Sequence, residues 1–386
     1  AIKDIVNLTE KLKPDGTLDW IVPSGEWNII RYGYTLTGKE NGPATAEATG
    51  LEVDKLDPLA IKRYFTHYLN MYKDASNGLM GAKGGLQFMV NDSWEANTQN
   101  WTANLPAEFK KRRGYDLLPW LPTISGKIIE TAAKTDAFLR DFRRTLGDLV
   151  VAYHYDALTD LLATYGMKRY TESHEDGTAM IADGMEVKRK AHVPMSAMWT
   201  VSGMGDNYKY QSDIRESASV AHIYGQNLVA AESLTAMGMG GNAWNYVPSN
   251  LKPVADLELA NGLNRFVIHT SVHQPLDDKI PGIGLGPFGQ WFNRHDTWSG
   301  KAKAWSDYLS RSSHMLQQGK FVADILYYYG QDNNITGLYR FKLPEIPVGY
   351  NYDFINADAL EHLLNVEDGK FVTPSGMSYR VLVLDS

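Results

Sequence analysis

Five short apolar runs, separated by longer amphipathic stretches, occupy residues 86 to 270 and restrict the chain to few architectures. They are Leu86 to Asn91, Lys168 to Ser173, Val193 to Trp199, Leu228 to Leu234 and Arg265 to Thr270. Asp136 to Tyr165 carries Phe138, Phe142, Leu146, Val150 and Tyr153 at helical spacing, and Ile214 to Tyr224 and Leu251 to Asn261 read as further helices. Pro58 to Tyr72 and Gly300 to Gln317 add two more. Strands that alternate with helices build parallel sheets, since a parallel connection has to cross a face of the sheet. The expected fold is α/β, a (β/α)8 TIM-type barrel whose N-terminal strands are missing, followed by the start of a second α/β domain.

The division expected is an incomplete barrel over residues 1–317 and a truncated accessory domain over 318–386, opened by strands at Phe321 to Tyr329, Asp353 to Asn356 and Tyr379 to Leu384. Trp20 to Gly38 reads as strands that need partners from an earlier part of the sequence. Pro281 to Gly289 is too rich in Gly and Pro for a regular element and follows a strand end, so it is expected to be a long active-site or surface loop.

Charge and cysteine content exclude several functions. Lys and Arg total 38 against 45 Asp and Glu, for a net charge of −7, and no long basic run appears beyond the short cluster Lys110 to Arg113. Duplex nucleic acid is therefore a poor partner. The absence of cysteine removes thiolate catalysis, thiolate metal sites and disulfides. No apolar run reaches the roughly 18 to 20 residues of a membrane span. The start at Ala1-Ile2-Lys3-Asp4 has no initiator Met and no signal core, which reads as a processed or truncated soluble chain. Aromatic residues are plentiful, with 10 Trp, 22 Tyr and 12 Phe; such rings stack on the apolar faces of sugars or simply fill cores.

Each strand candidate ends in polar residues: Asp92-Ser93-Trp94-Glu95, Glu172-Ser173-His174, Trp199-Thr200, Glu232-Ser233 and His269-Thr270. Carboxyl ends of parallel strands are where α/β folds build active sites. If Leu86 to Asn91 is the fourth strand of eight, Glu95 follows strand four and Glu232 strand seven, facing each other across the barrel mouth. Two carboxylates on either side of one bond are the equipment of glycoside hydrolysis; capping or salt-bridged glutamates are the structural alternative. Glu172 and His174 can bind sugar hydroxyls, ligate a metal or adjust a neighbour's pKa, or form a polar rim. Asp92 and Trp94 are candidates for holding a sugar, with an oxygen-ligated cation as a second use of Asp92. Trp199, Trp244, Trp291 and Trp298 fall in loops or at strand ends suited to stacking. His269 and His273 suit substrate hydrogen bonding better than zinc, which would need a third nitrogen ligand. His222 reads as a core histidine, and Arg215 and Glu216 as caps of the helix that follows them. Gly-x-Ser-x-Gly and the phosphate-binding loop are absent.

The chain resembles glycoside hydrolase family 106, the α-L-rhamnosidases, in Gly25-Glu26-Trp27-Asn28-Ile29-Ile30-Arg31, Gly50-Leu51-Glu52-Val53-Asp54-Lys55, Arg113-Gly114-Tyr115-Asp116, Ala218 to Gly225, Ala230-Ala231-Glu232-Ser233 and Asn264-Arg265-Phe266 through His273-Gln274-Pro275. The resemblance implies a (β/α)8 catalytic domain, inverting hydrolysis of terminal α-L-rhamnosyl linkages of a rhamnose-containing glycan, dependence on calcium through ligands it does not specify, and a periplasmic or extracellular location. By motif, Glu95 becomes the general acid and Glu232 the base that activates water. Two alternatives stay open: a retaining β-galactosidase-like glycosidase, whose carboxyls stand closer together, and a non-catalytic sugar-binding barrel.

Overall fold

The computed structural model describes residues 1–384 apart from 3, 175–178, 181, 201–206, 237–245, 287, 290, 291 and 332. The chain groups into two compact units, one of residues 1–64 and 96–154, the other of residues 65–95 and 155 onward. Helix α1 (Pro58–Ala75) contains the first point of division.

In the first unit, helices α2 (Leu105–Arg113) and α3 (Ala132–Leu149) pack through aromatic rings. Phe109 meets Tyr115 edge-on at 5.0 Å and lies 5.7 Å from Phe138, which stacks on Trp120. Gly114, at φ 85°, ends α2, and the Thr131 hydroxyl caps α3 by accepting from the Lys134 amide. Arg113 ties the two helices together through Asp148 and the Thr145 hydroxyl. The stretch Trp20 to Gly38, expected as strands, makes no ladder. Its rings close local contacts instead: Trp27 donates to the Pro23 carbonyl and meets Trp20 edge-on, and Tyr34 stacks on Trp101. Alternating apolar residues need a neighbouring strand, and here Ile21, Ile29 and Leu36 remain exposed.

The second unit is built on five parallel strands in sequential order: β1 (Phe88–Asn91), β2 (Lys168–Thr171), β3 (Val193–Trp199), β4 (Ala230–Thr235) and β5 (Arg265–Ile268). All five expected strands form, β3 with the expected limits. The period of two sorts their side chains. Tyr170, Val193, Met195 and Ala230 cluster on the concave face; Met198, Ala231 and Leu234 pack on the other against Ile214 of α6 (Tyr208–Tyr224), Leu251 and Val254 of α7 (Pro248–Ala260) and Trp305 of α8 (Ala302–Leu316). The fold is therefore mixed α/β with a curled parallel half-barrel. The expected helix over 136–165 is three consecutive pieces: α3, a π-helical stretch at Val150–Asp156, and α4 (Ala157–Thr164).

Beyond α8, β6 (Ile325–Tyr328), β7 (Tyr352–Ile355) and β11 (Val381–Leu384) form a second parallel sheet, ordered β11-β6-β7. Short antiparallel strands β8 (Asn365–Glu367), β9 (Lys370–Val372) and β10 (Ser378–Tyr379) form a third. The second sheet buries Leu326, Phe354 and Ile355 with Val220 and Ile223 of α6. Asp353, fully buried, accepts from Ser219 and Tyr379 and meets His222 Nδ1 at 2.8 Å. His222 thus serves as a bonded core residue.

Helix α6 starts at Tyr208, ahead of the expected Ile214, because its opening turn is polar and aromatic and carries no apolar stripe. Arg215 and Glu216 consequently sit in the buried body of the helix and do not cap it.

Candidate active site

Parity along the strands decides which groups reach the concave face. Tyr170 faces inward, so Glu172, two residues on, continues that row past the end of β2; Ala230 does the same for Glu232 within β4. Asp92 follows β1 directly, and the ladder continues beyond the strand: Glu172 N donates to Asn91 O at 3.0 Å and Trp94 N to Ser173 O at 2.9 Å. Asp92, Glu172 and Glu232 each bring an oxygen within 4.8 Å of the other two. In a flat sheet the three strand spacings from β1 to β4 would span about 14 Å. The curl closes that gap.

Glu95 stands just outside, exposed, and accepts from the Ser93 hydroxyl at 3.3 Å. His269 Nδ1, at the end of β5, lies 3.9 Å from Glu232 Oε1. Gly289, at φ +83°, packs flush on the imidazole: a Cβ there would stand 2.9 Å from His269 Nδ1. Its amide donates to Ala236 O at 2.8 Å, which brings the Pro281–Gly289 loop back to the strand ends.

A bulge shapes β4 beside Glu232. Met198 pairs with Ser233 and Trp199 with Thr235, leaving Leu234 as the extra residue, at φ 65° and fully buried in the outer core. The added residue returns Thr235 to the face of Glu232, and its hydroxyl donates to Glu232 Oε1. The strict alternation assumed from sequence would send Thr235 to the opposite face, so no sequence signal points to it. Burial pushes the Glu232 carboxyl above its usual range, with Asp92 and Glu95 adding to the rise and Thr235 and His269 opposing it.

The structure thus gathers Asp92, Glu172 and Glu232, with Glu95 and His269 acting on Glu232, and the pairing with Thr235 sets Trp199 alongside. Phe288, which the sequence does not single out, meets the Trp199 ring edge-on at 6.1 Å. Trp94 and His174 turn inward. Trp94 is 4% exposed and packs as core. His174 is equally buried, with Nε2 against the Asn334 amide, and burial followed by the nearby Lys188 charge lowers it to about 4. His273 is exposed on the loop after β5, and Trp291 and Trp244 lie outside the described residues.

Comparison with known proteins identifies the fold and the family. A rhamnosidase from Novosphingobium sp. PP1Y superposes with a TM-score of 0.91 at 44% identity, over 98% of this chain and 36% of that one. A Formosa agariphila protein described provisionally as a beta-glucuronidase is 40% identical over 99% of this chain and 31% of its own length. The chain thus spans about a third of the relatives it matches. Residues 1–386 match the profile of a glycoside hydrolase family, the α-L-rhamnosidases. The chain belongs to glycoside hydrolase family 106.

Proposed function

We propose that the protein hydrolyses terminal α-L-rhamnosyl linkages of a rhamnose-containing glycan with inversion, β1 to β5 being the later strands of an eightfold barrel. The observation that carries the reading is the convergence of Asp92, Glu172 and Glu232 at the carboxyl end of the sheet in a chain of this family. Glu95 is the general acid: it is exposed, beside the cluster, and free to follow a leaving oxygen. Glu232 is the base. Its Oε1 is occupied by the Thr235 hydroxyl, which leaves Oε2 to take the proton of the attacking water. Inversion requires roughly 6.5 to 9.5 Å between the two carboxyls, room for that water.

Three carboxylate oxygens within 4.8 Å of one another suit a hard divalent cation, whose oxygen ligands stand about 2.3 to 2.6 Å away. Calcium fits this donor set, and Asp92, Glu172 and Glu232 are the residues that would hold it. Bound there, it would supply positive charge that keeps Glu232 ionised and orients sugar hydroxyls. The charged groups acting on Glu232 are His269, Asp92 and Glu95. An enzyme working on such glycans acts in the periplasm or outside the cell.

The test is release of rhamnose from an aryl α-L-rhamnoside, with and without calcium, by the parent and by Glu95→Gln and Glu232→Gln. Release that both substitutions abolish supports the pair. Absence of release by folded parent with calcium present sinks the reading, and glucuronide cleavage under the same conditions would replace it.

A further inference from the structure

Behind the carboxylate cluster, on the helix side of the sheet, lies a set of buried ionic groups that substrate cannot reach. Lys188, the last residue of α5 (Gly184–Lys188), is completely buried. Its Nζ stands 2.8 Å from Glu216 Oε1, 2.9 Å from Asp213 Oδ1 and 3.0 Å from the Ser217 hydroxyl. Burial alone would lower its pKa, but the two carboxylates outweigh that and the net direction is up. Both anions then reach into the sheet. Asp213 Oδ2 accepts the Ala197 amide of β3 at 2.9 Å, and Glu216 Oε1 accepts the Ser173 hydroxyl at 3.2 Å.

Ser173 is the hinge point. Its side chain points to α6, while its two chain neighbours are Glu172 and His174. Its carbonyl accepts the Trp94 amide, which lies between Asp92 and Glu95, and the Tyr155 hydroxyl at 3.4 Å. One serine therefore connects the buried charges to the segments that carry Asp92, Glu95 and Glu172. The approach of α5 is close: a Cβ on Gly184 would stand 2.4 Å from the Glu216 carboxylate, so a larger residue there would have to displace it. A buried lysine with two carboxylates gives little net stability over an apolar packing of the same volume, so stability alone is a weak reason for it.

We infer that Ser173 is a positioning residue: linked through Glu216 to Lys188, it sets where the ends of β1 and β2 present Asp92, Glu95 and Glu172. The inference rests on the glycosidase reading above. Lys188 itself is a poor probe, because its removal leaves two buried carboxylates without their cation and costs about 3 to 5 kcal/mol.

The diagnostic variant is Ser173→Ala, with Ser196→Ala as control. Ser196 is equally buried, on β3, and among the described residues its hydroxyl donates to the Ala230 carbonyl alone, at 3.2 Å. Ser173→Ala is expected to lower kcat about tenfold with KM within twofold, and to speed hydrogen exchange in peptides holding the Trp94 and Glu172 amides. Ser196→Ala is expected to do neither at equal loss of Tm. A kcat within twofold of the parent, or an equal fall in the control, overturns the inference. If the parent cleaves no rhamnoside, the functional reading fails by itself, and exchange at Trp94 and Glu172 decides the positioning: faster in Ser173→Ala upholds it, unchanged refutes it.

Discussion

Oxygens of Asp92 and Glu232 come within 4.8 Å of each other although their strands stand three places apart in the sheet. Like charges so close repel, and a bound cation would relieve that repulsion. Calcium added to metal-stripped protein is expected to raise Tm, by the equivalent of about 2.7 kcal/mol at a hundredfold excess over Kd. Differential scanning fluorimetry of the parent against an Asp92→Asn, Glu172→Gln double variant checks this. A calcium-induced shift that survives in the double variant places the ion elsewhere.

Glu95→Gln and Glu232→Gln should differ in kind. Loss of a general acid costs least when the leaving group needs no proton. Glu95→Gln is therefore expected to lose about 10² to 10⁴-fold in kcat on an alkyl rhamnoside and much less on a nitrophenyl one. Glu232→Gln should fail on both and regain turnover with azide, forming the β-glycosyl azide. The opposite pattern would exchange the two roles.

The Thr235 hydroxyl lowers the pKa of Glu232 against the rise caused by burial. Thr235→Val removes that bond, so the Glu232 pKa rises further and the base ionises at higher pH. The acidic limb of the kcat/KM profile is expected to move up by about one unit, with Thr235→Ser restoring the parent curve. A profile that does not move in Thr235→Val dismisses the hydroxyl as a partner.

Two buried groups work against each other in the pH dependence of stability. Burial raises Asp183 from 3.8 to about 7, against hydrogen bonds from the Glu186 amide, the Tyr329 hydroxyl and the Asn356 amide. The folded state then binds a proton that the unfolded chain has released, so stability falls as pH rises from about 4 to 7. His174, lowered from 6.5 to about 4, has the reverse effect: the unfolded chain binds the proton, and stability grows from about 4 to 6.5. Glu258 and Asp213, also raised by burial, slope in the same sense as Asp183. Asp183→Asn removes one falling contribution, so the slope of stability against pH is expected to be more positive in the variant than in the parent by up to about 1.4 kcal/mol per pH unit. Urea melts at pH 4.5, 5.5 and 6.5 measure it, and equal slopes in parent and variant would refute the account.

Gly289→Ala combines a positive φ with a Cβ in contact with His269. The backbone cost alone is about 1 kcal/mol, and displacement of the imidazole should lower kcat/KM as well. Unchanged kinetics at reduced Tm would separate the loop's structural role from any action through His269.

The five strands and their polar ends were legible because short apolar runs that stop at polar residues carry both facts locally. Burial of individual polar groups was not. His174 and Trp94 look like site residues in sequence, yet His174 is enclosed by Asn334, 160 positions away, and no local pattern announces that. Lys188 reads as an ordinary surface lysine until α6 brings Asp213 and Glu216 to it. Trp20 to Gly38 alternates as a strand does, but alternation reports only a preference, and a ladder needs a second chain segment beside it.

Leu234 adds one residue to β4 that β3 does not match. The strand is thus written in two reading frames, one ending at Ser233 and one resuming at Thr235. A relative of the same length without the bulge would keep its glutamate inward and turn this hydroxyl out, whereas one shorter by the extra residue would keep both inward, so among such chains the register of this strand, more than its composition, would mark which ones keep the same base environment.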